Sequence, residues 1–325
     1  MSLRKIKHPE LFQDLHGSNY FEGWYFKFQD ASGEILAVIP GISRTKDKEF
    51  AFIQVLSSHL SIATYTKYDI EDFHYDEDPW SIRIADNYFG LDRIELHILA
   101  DDIELIGKFN LANIIPLRTS FYAPSIMGPF AYLNSMECYH AVLSMHHEIS
   151  GQARLNGQLL DFDDSCGYLE KDWGRSFPKE YIWIHGQDVL SHDTLFFSLA
   201  RIPLAGRSFD GLIAVFYVDG VQHRFATYNL AHVKTFTKNG DSYLLEVKQG
   251  EHTLRLRLQM RDAHPLLSPQ LGEMSGTIKE SLTSTCEVQL LRNSQILAQR
   301  TFKPALAEVE WKSFDCVERS LTVLE

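Results

Sequence analysis

Residues His147–Trp173 read HEISGQARLNGQLLDFDDSCGYLEKDW. Two runs of strand character flank Asn156-Gly157, the dipeptide favoured in a type I′ hairpin because both central residues need φ > 0. The stretch closes on an acid-rich strand and Trp173. Cys286–Trp311, CEVQLLRNSQILAQRTFKPALAEVEW, follows the same plan and again ends on acids and a Trp. The openings of the two halves correspond as well. Gly23–Gln29 (GWYFKFQ) leads into ILAVIPGIS and EFAFIQVLS, and Tyr181–Gln187 (YIWIHGQ) leads into TLFFSLARIPL and GLIAVFYVDG.

Short alternating or aromatic runs recur at Phe50–Leu56, Ser81–Ile84, Ile94–Leu99, Glu104–Asn110, Leu212–Val218, Tyr243–Val247 and Thr253–Met260. Asp219-Gly220 and Asn239-Gly240 supply further hairpin turns. A helical period is confined to a turn near Pro9–Leu15. The chain is expected to be all-β, with two antiparallel β-barrel domains, 1–177 and 178–325, packed closely together by the short linker Ser176–Glu180. A barrel of about eight strands hides its edges and encloses an apolar ligand.

Composition narrows the partners. At 325 residues, 45% hydrophobic and 23% charged, the sequence is that of a globular protein. A net charge of −12 argues against nucleic acid, whose phosphates need clustered Lys and Arg. It also disfavours docking on anionic lipid and leaves a transient hydrophobic membrane contact open. Cysteines 138, 166, 286 and 316 form no C-x-x-C, so free thiols in a reducing compartment are expected and a metal site is not. MSLRKIKHPELFQDL is basic without an apolar core, and no run reaches membrane-spanning length; the expected location is the cytoplasm. No feature of the sequence specifies an oligomeric state.

The chemistry concentrates in Cys166–Gln187, CGYLEKDWGRSFPKEYIWIHGQ. Indoles mixed with ionisable groups suit a ligand pocket, where aromatic faces hold an apolar body and a few polar groups orient it. A buried ion pair with Trp packing has the same composition. On a strand, Glu170 and Asp172 share one face, and Lys171 and Trp173 the other. Two carboxyls that close push their titrations apart and keep one protonated; alternatively either pairs with Arg175 or Lys171.

Four segments carry a resemblance to a known family. Glu170–Pro178 (EKDWGRSFP) matches an E-K-[DN]-W-G-x-x-[FW]-P element that precedes an aromatic strand. Asn19–Gln29 (NYFEGWYFKFQ), Met127–Met145 (MGPFAYLNSMECYHAVLSM) and Gly157–Asp161 (GQLLD) agree in type and order. The chain thereby resembles the tocopherol cyclase family from about Asn19 to Trp311. The resemblance implies two lipocalin-like β-barrels and closure of a chromanol ring on a prenylated hydroquinone. In that reaction an acid protonates the tail's nearest double bond, and the phenol oxygen captures the tertiary cation. It implies a dry aromatic pocket and a hydrophobic small-molecule partner, with no cofactor. Isoprenoid hydration, known in related barrel pairs, and passive carriage of a lipophile are the alternatives.

Within that frame Glu170, Asp172, Glu22, Glu137 and His185 are the candidate catalytic groups. Glu22 opens the Trp24 strand, at a barrel rim or in solvent. Glu137 and Tyr139 share one face of their strand, and Cys138 and His140 the other; an ionisable group among such apolar neighbours needs a partner or a function. His185 shares a face with Trp183 and Gln187, a set able to bind a hydroquinone hydroxyl or take its proton. Trp24, Tyr25, Tyr139, His140, Trp173, Phe177, Trp183 and Gln187 are the substrate-binding candidates, and each aromatic among them serves equally as core. His146-His147 and His192-Asp193 lack the spacing of a metal pair.

Overall fold

A computed structural model describes residues 2–15, 17–204 and 206–312; Cys316 lies outside the described residues. β1 (Tyr20–Gln29), β2 (Ile35–Arg44), β3 (Glu49–Ser57), β4 (Ile62–Asp69), β5 (Phe73–Glu77), β6 (Trp80–Ile84), β7 (Asn87–Gly90), β8 (Arg93–Ala100), β9 (Ile103–Ile115), β10 (Cys138–Leu155), β11 (Gln158–Asp161) and β12 (Ser165–Gly174) form one sheet. Its order is β4-β3-β2-β1-β12-β10-β9-β8-β7-β6-β5, with β11 on β10. The second sheet contains β13 (Tyr181–Gln187), β14 (Thr194–Leu204), β15 (Arg207–Val218), β16 (Val221–Ala226), β17 (His232–Asn239), β18 (Ser242–Gln249), β19 (His252–Gln259), β20 (Ala263–Gln270), β21 (Glu273–Arg292) and β22 (Gln295–Glu310). Its order is β16-β15-β14-β13-β22-β21-β19-β18-β17, with β20 on β21.

The fold is all-β, and both sheets follow one plan: the first strand of each pairs with its last. Trp24 lies opposite Lys171 in β1–β12, and Trp183 opposite Glu308 in β13–β22. The two Trp are nevertheless not equivalent. Trp24 is buried on the face that packs against Phe12 and Trp80, whereas Ile182 and Ile184, the neighbours of Trp183, build the core of the second sheet. An offset of one residue sends a strand side chain to the other face.

The expected barrels are open. In hydrogen-bond order each sheet runs from edge to edge, β4 to β5 and β16 to β17, with no closing ladder among the described residues. No residue of β4 is fully buried, and β5 is five residues long and mostly exposed, so neither edge offers the long apolar template that pairing needs. The interior of the first sheet is lined with packed aromatics. Phe28, Phe109 and Phe162 meet at 4.6–5.9 Å between centroids, and Phe26 lies 5.5 Å from Phe89.

The chain divides into two compact units. Unit 1 comprises Met1–Pro178, Val189–His192 and His264–Ile278; unit 2 comprises Lys179–Asp188, Asp193–Ala263 and Lys279–Glu325. The late segment of unit 1 is tied in by paired bonds. Gln54 Nε2 donates to Leu267 O (3.1 Å) and Leu267 N to Gln54 Oε1 (3.0 Å), while Ser43 Oγ donates to Gly272 O (2.6 Å).

Two turns take the expected geometry: Asn156 and Gly157 have φ of 50° and 80°, and Asp219 and Gly220 of 51° and 78°. At the third, β17 continues through Asn239 and only Gly240 has positive φ (59°), so the turn starts one residue later. The helix is also displaced. It spans Leu3–Lys7, its N-terminus capped by Ser2, rather than Pro9–Leu15. No helix of the described residues is long and apolar enough to cross a membrane.

Candidate functional site

Period-two alternation divides the EKDW element between two environments. Lys171 and Trp173 face the packed side of the first sheet, where Lys171 ion-pairs with Glu22 and neither side chain is exposed. The ammonium also donates to Pro9 O (2.8 Å) and Leu11 O (2.6 Å) and lies 4.6 and 5.0 Å from the ring centroids of Trp24 and Trp173. Burial lowers its pKa to about 8 against the opposing pull of Glu22. Glu22 accepts from Tyr20 OH, from Gln13 N at 2.8 and 3.0 Å, and from Asp14 N at 3.2 Å. Trp24 Nε1 donates to Glu10 O at 3.1 Å. This set straps residues 9–14 across the strands. Glu22 and Trp24, expected at a ligand, instead hold the N-terminal segment in place, and Tyr139 stacks on Trp173 in the same layer at 5.4 Å.

The opposite face carries the second set. Glu170 and Asp172 project beside His140, which lies across from Asp172 in the β10–β12 ladder. His140 Nδ1 is 2.8 Å from Asp172 Oδ1, and Nε2 is 3.6 Å from Glu170 Oε2. Tyr168 OH donates to Glu170 Oε2 at 2.6 Å. Burial alone would lower the His140 pKa, but the charges of Asp172 and Glu170 outweigh it and raise it to about 9. Burial and Glu170 together push the Tyr168 hydroxyl well above its ordinary range, so it stays a donor. From β1, Tyr25 lies opposite Glu170, Lys27 opposite Tyr168, and Gly23 opposite Asp172, where it adds no side chain. Tyr168 and the fully buried Lys27 were not singled out from sequence; Tyr168 stands two residues before Glu170, and the same alternation would have found it.

The other candidates lie apart. Glu137 contributes its backbone carbonyl, which accepts from Arg175 N at 2.8 Å. Phe177 meets Phe21 edge-on at 5.5 Å. In unit 2, Trp183 and His185 stack at 6.1 Å and are buried together with Gln187, on the strand face turned away from that unit's core. His146 and His192, assigned nothing from sequence, stack at 4.4 Å beside a cavity of about 270 Å3 in unit 1.

The ligand atoms of His140, Glu170 and Asp172 lie within 4.8 Å of one another, a donor set with the right chemistry for a divalent cation. With Nδ1 engaged by Asp172, Nε2 and Glu170 would face the ion and Asp172 would orient the ring. Two facing ligands fall short of the three or four of a resident site. The arrangement suits proton transfer better.

Residues 118–310 match the family described as tocopherol cyclase-like. No curated protein matches the chain in sequence. Among solved structures, an AttH-like protein from Nitrosomonas europaea is similar at TM-score 0.51 and 14% identity, over 93% of this chain and 97% of that one. CghA, solved with Sch210972, is similar at TM-score 0.59 and 11% identity, over 92% and 90%. Both likenesses concern the fold.

Proposed function

The chain belongs to the tocopherol cyclase-like family, and we propose that it is an enzyme that adds a hydroxyl oxygen across an isoprenoid double bond by proton transfer from the His140–Glu170–Asp172 cluster. One observation carries this reading: an imidazole held between two carboxylates, 2.8 Å from Asp172 and 3.6 Å from Glu170. With its pKa raised to about 9, His140 keeps a proton in the cluster at neutral pH.

The proton cycle closes on itself. The imidazolium proton of His140 passes to Glu170 and from there to the less substituted alkene carbon, and a tertiary cation forms. Tyr25, opposite Glu170, offers an aromatic face to the cation. The phenol oxygen of a prenylated hydroquinone then bonds to the cation, and its proton returns to the Glu170–His140 pair. Substrate is isomerised to a chromanol and the protein ends as it began. With water as nucleophile the same cycle yields a tertiary alcohol, so the product separates cyclase from hydratase.

The test is turnover of a series of prenylated hydroquinones and isoprenoid alkenes, with products identified by mass. Glu170→Gln keeps shape and hydrogen bonding but removes the transferable proton. It should lower the rate by about 10²–10⁴ with little change in melting temperature. No turnover by the wild type on any of these substrates, or full activity in Glu170→Gln, overturns the proposal.

A further inference from the structure

Between β9 and β10, residues 119–136 contain no charged side chain, in a chain that is 23% charged. The segment is nonetheless not wholly buried. Phe121 is 77% exposed and Tyr122 80%. Phe121 and Tyr122 occupy the middle of a tight turn closed by Ser120 N to Ala123 O (2.9 Å) and Ala123 N to Ser120 O (3.1 Å). Tyr132 braces the turn from behind: its hydroxyl donates to Phe121 O at 2.7 Å, and its ring lies 6.3 Å from that of Phe121. The two aromatic side chains are therefore presented at the tip by a fixed backbone.

The rest of the segment is held to β10. Met127 Sδ accepts from His140 N at 3.2 Å, and Tyr139 OH donates to Leu133 O at 2.6 Å. One uncharged segment thus has an aromatic tip in solvent and is anchored to β10 at the backbone of His140 and the hydroxyl of Tyr139.

We propose that Phe121 and Tyr122 dock the protein on a neutral phospholipid surface. Exposed aromatics on an uncharged loop fit the boundary of a bilayer, where the ring body enters the acyl region and the Tyr hydroxyl stays wet. A net charge of −12 and the uncharged tip set the lipid class: zwitterionic headgroups accept this surface, and anionic ones repel the chain. The role of docking, to bring a membrane-dissolved isoprenoid to His140, rests on the proposed function; the docking itself does not.

Flotation of the full chain with phosphatidylcholine vesicles tests the inference. Wild type should float with the vesicles at low and high salt alike, and phosphatidylserine should weaken the binding. The double variant Phe121→Ser/Tyr122→Ser should retain its circular dichroism and melting temperature and partition about tenfold less for each ring removed. A wild type that stays with the aqueous fraction overturns the inference, as does a variant that floats equally well. So does a wild-type dimer in gel filtration that the variant breaks up, which would make the patch a contact between copies. Because flotation is read without turnover, a wild type that floats but converts no substrate counts against the proposed function and supports lipid docking.

Discussion

Replacing Lys171 by Met removes the centre of the N-terminal strap while keeping an unbranched side chain of similar volume. Lys171 supplies an ion pair to Glu22 and hydrogen bonds to Pro9 O and Leu11 O, all in a layer closed to water. Breaking a buried pair from one side leaves its partner charged and unmatched, which costs about 3–5 kcal/mol. Glu22 retains its bonds from Gln13 N, Asp14 N and Tyr20 OH, so the lower end, about 3 kcal/mol, is expected. For a unit of roughly 200 residues this lowers the melting temperature by about 6–12 °C. Calorimetry reads the shift, and hydrogen exchange of residues 9–14 reads the strap, whose amides should lose protection. A Lys171→Met protein that melts with the wild type and keeps those amides protected would refute the structural role of this pair. Glu22 would then return as an acid free for chemistry.

Two histidines on β10 should give stability opposite pH limbs. His140 is raised to about 9, above its unfolded 6.5, so its contribution is complete below 6.5 and lost as pH climbs through 9, about 3 kcal/mol in all. His147 is pushed down to about 3 by burial, with His146 and Lys27 adding, so its contribution is lost as pH falls from 6.5 towards 3. Urea melts across this range should show the alkaline loss in wild type and not in His140→Asn; an unchanged alkaline limb in the variant removes His140 as its cause. Gly167→Ala should destabilise by about 1–3 kcal/mol through overpacking. Its Cβ would enter the His147 ring, 2.7 Å from Cδ2, and Ser144 Oγ holds that ring at 2.9 Å from Nδ1. A neutral result in the same melts would mean that the ring can move aside.

The fold class could be read from the sequence because hairpin chemistry is local: Asn156-Gly157 and Asp219-Gly220 dictate their own φ. The division of Glu170 and Asp172 from Lys171 and Trp173 was legible for a similar reason, since it needs only the pleat. Which of the two faces is the packed one was not legible. β1 and β12 are buried on both sides, so no polar stripe marks the outside. The role of Glu22 depends on Gln13 and Asp14, an irregular segment with no periodicity to announce its path. The open sheets depend on what the edges of β4 and β5 lack, which no run of residues displays.

The tie between Gln54 and Leu267 has a consequence for how the chain is made. A ribosome delivers β1 to β4 early, but β1 finds its second neighbour only once Glu170–Trp173 have been synthesised, and Gln54 finds its partner nearly a hundred residues later still. Until β12 emerges the nascent protein carries on β1 an unpaired, strongly apolar strand edge, the kind of template on which chains associate wrongly. Translation speed and chaperone supply up to residue 174 should therefore govern the yield of folded protein more than the stability of the finished molecule does. A truncation that stops at the end of β12, although it retains the whole first sheet, forfeits the segment that completes unit 1.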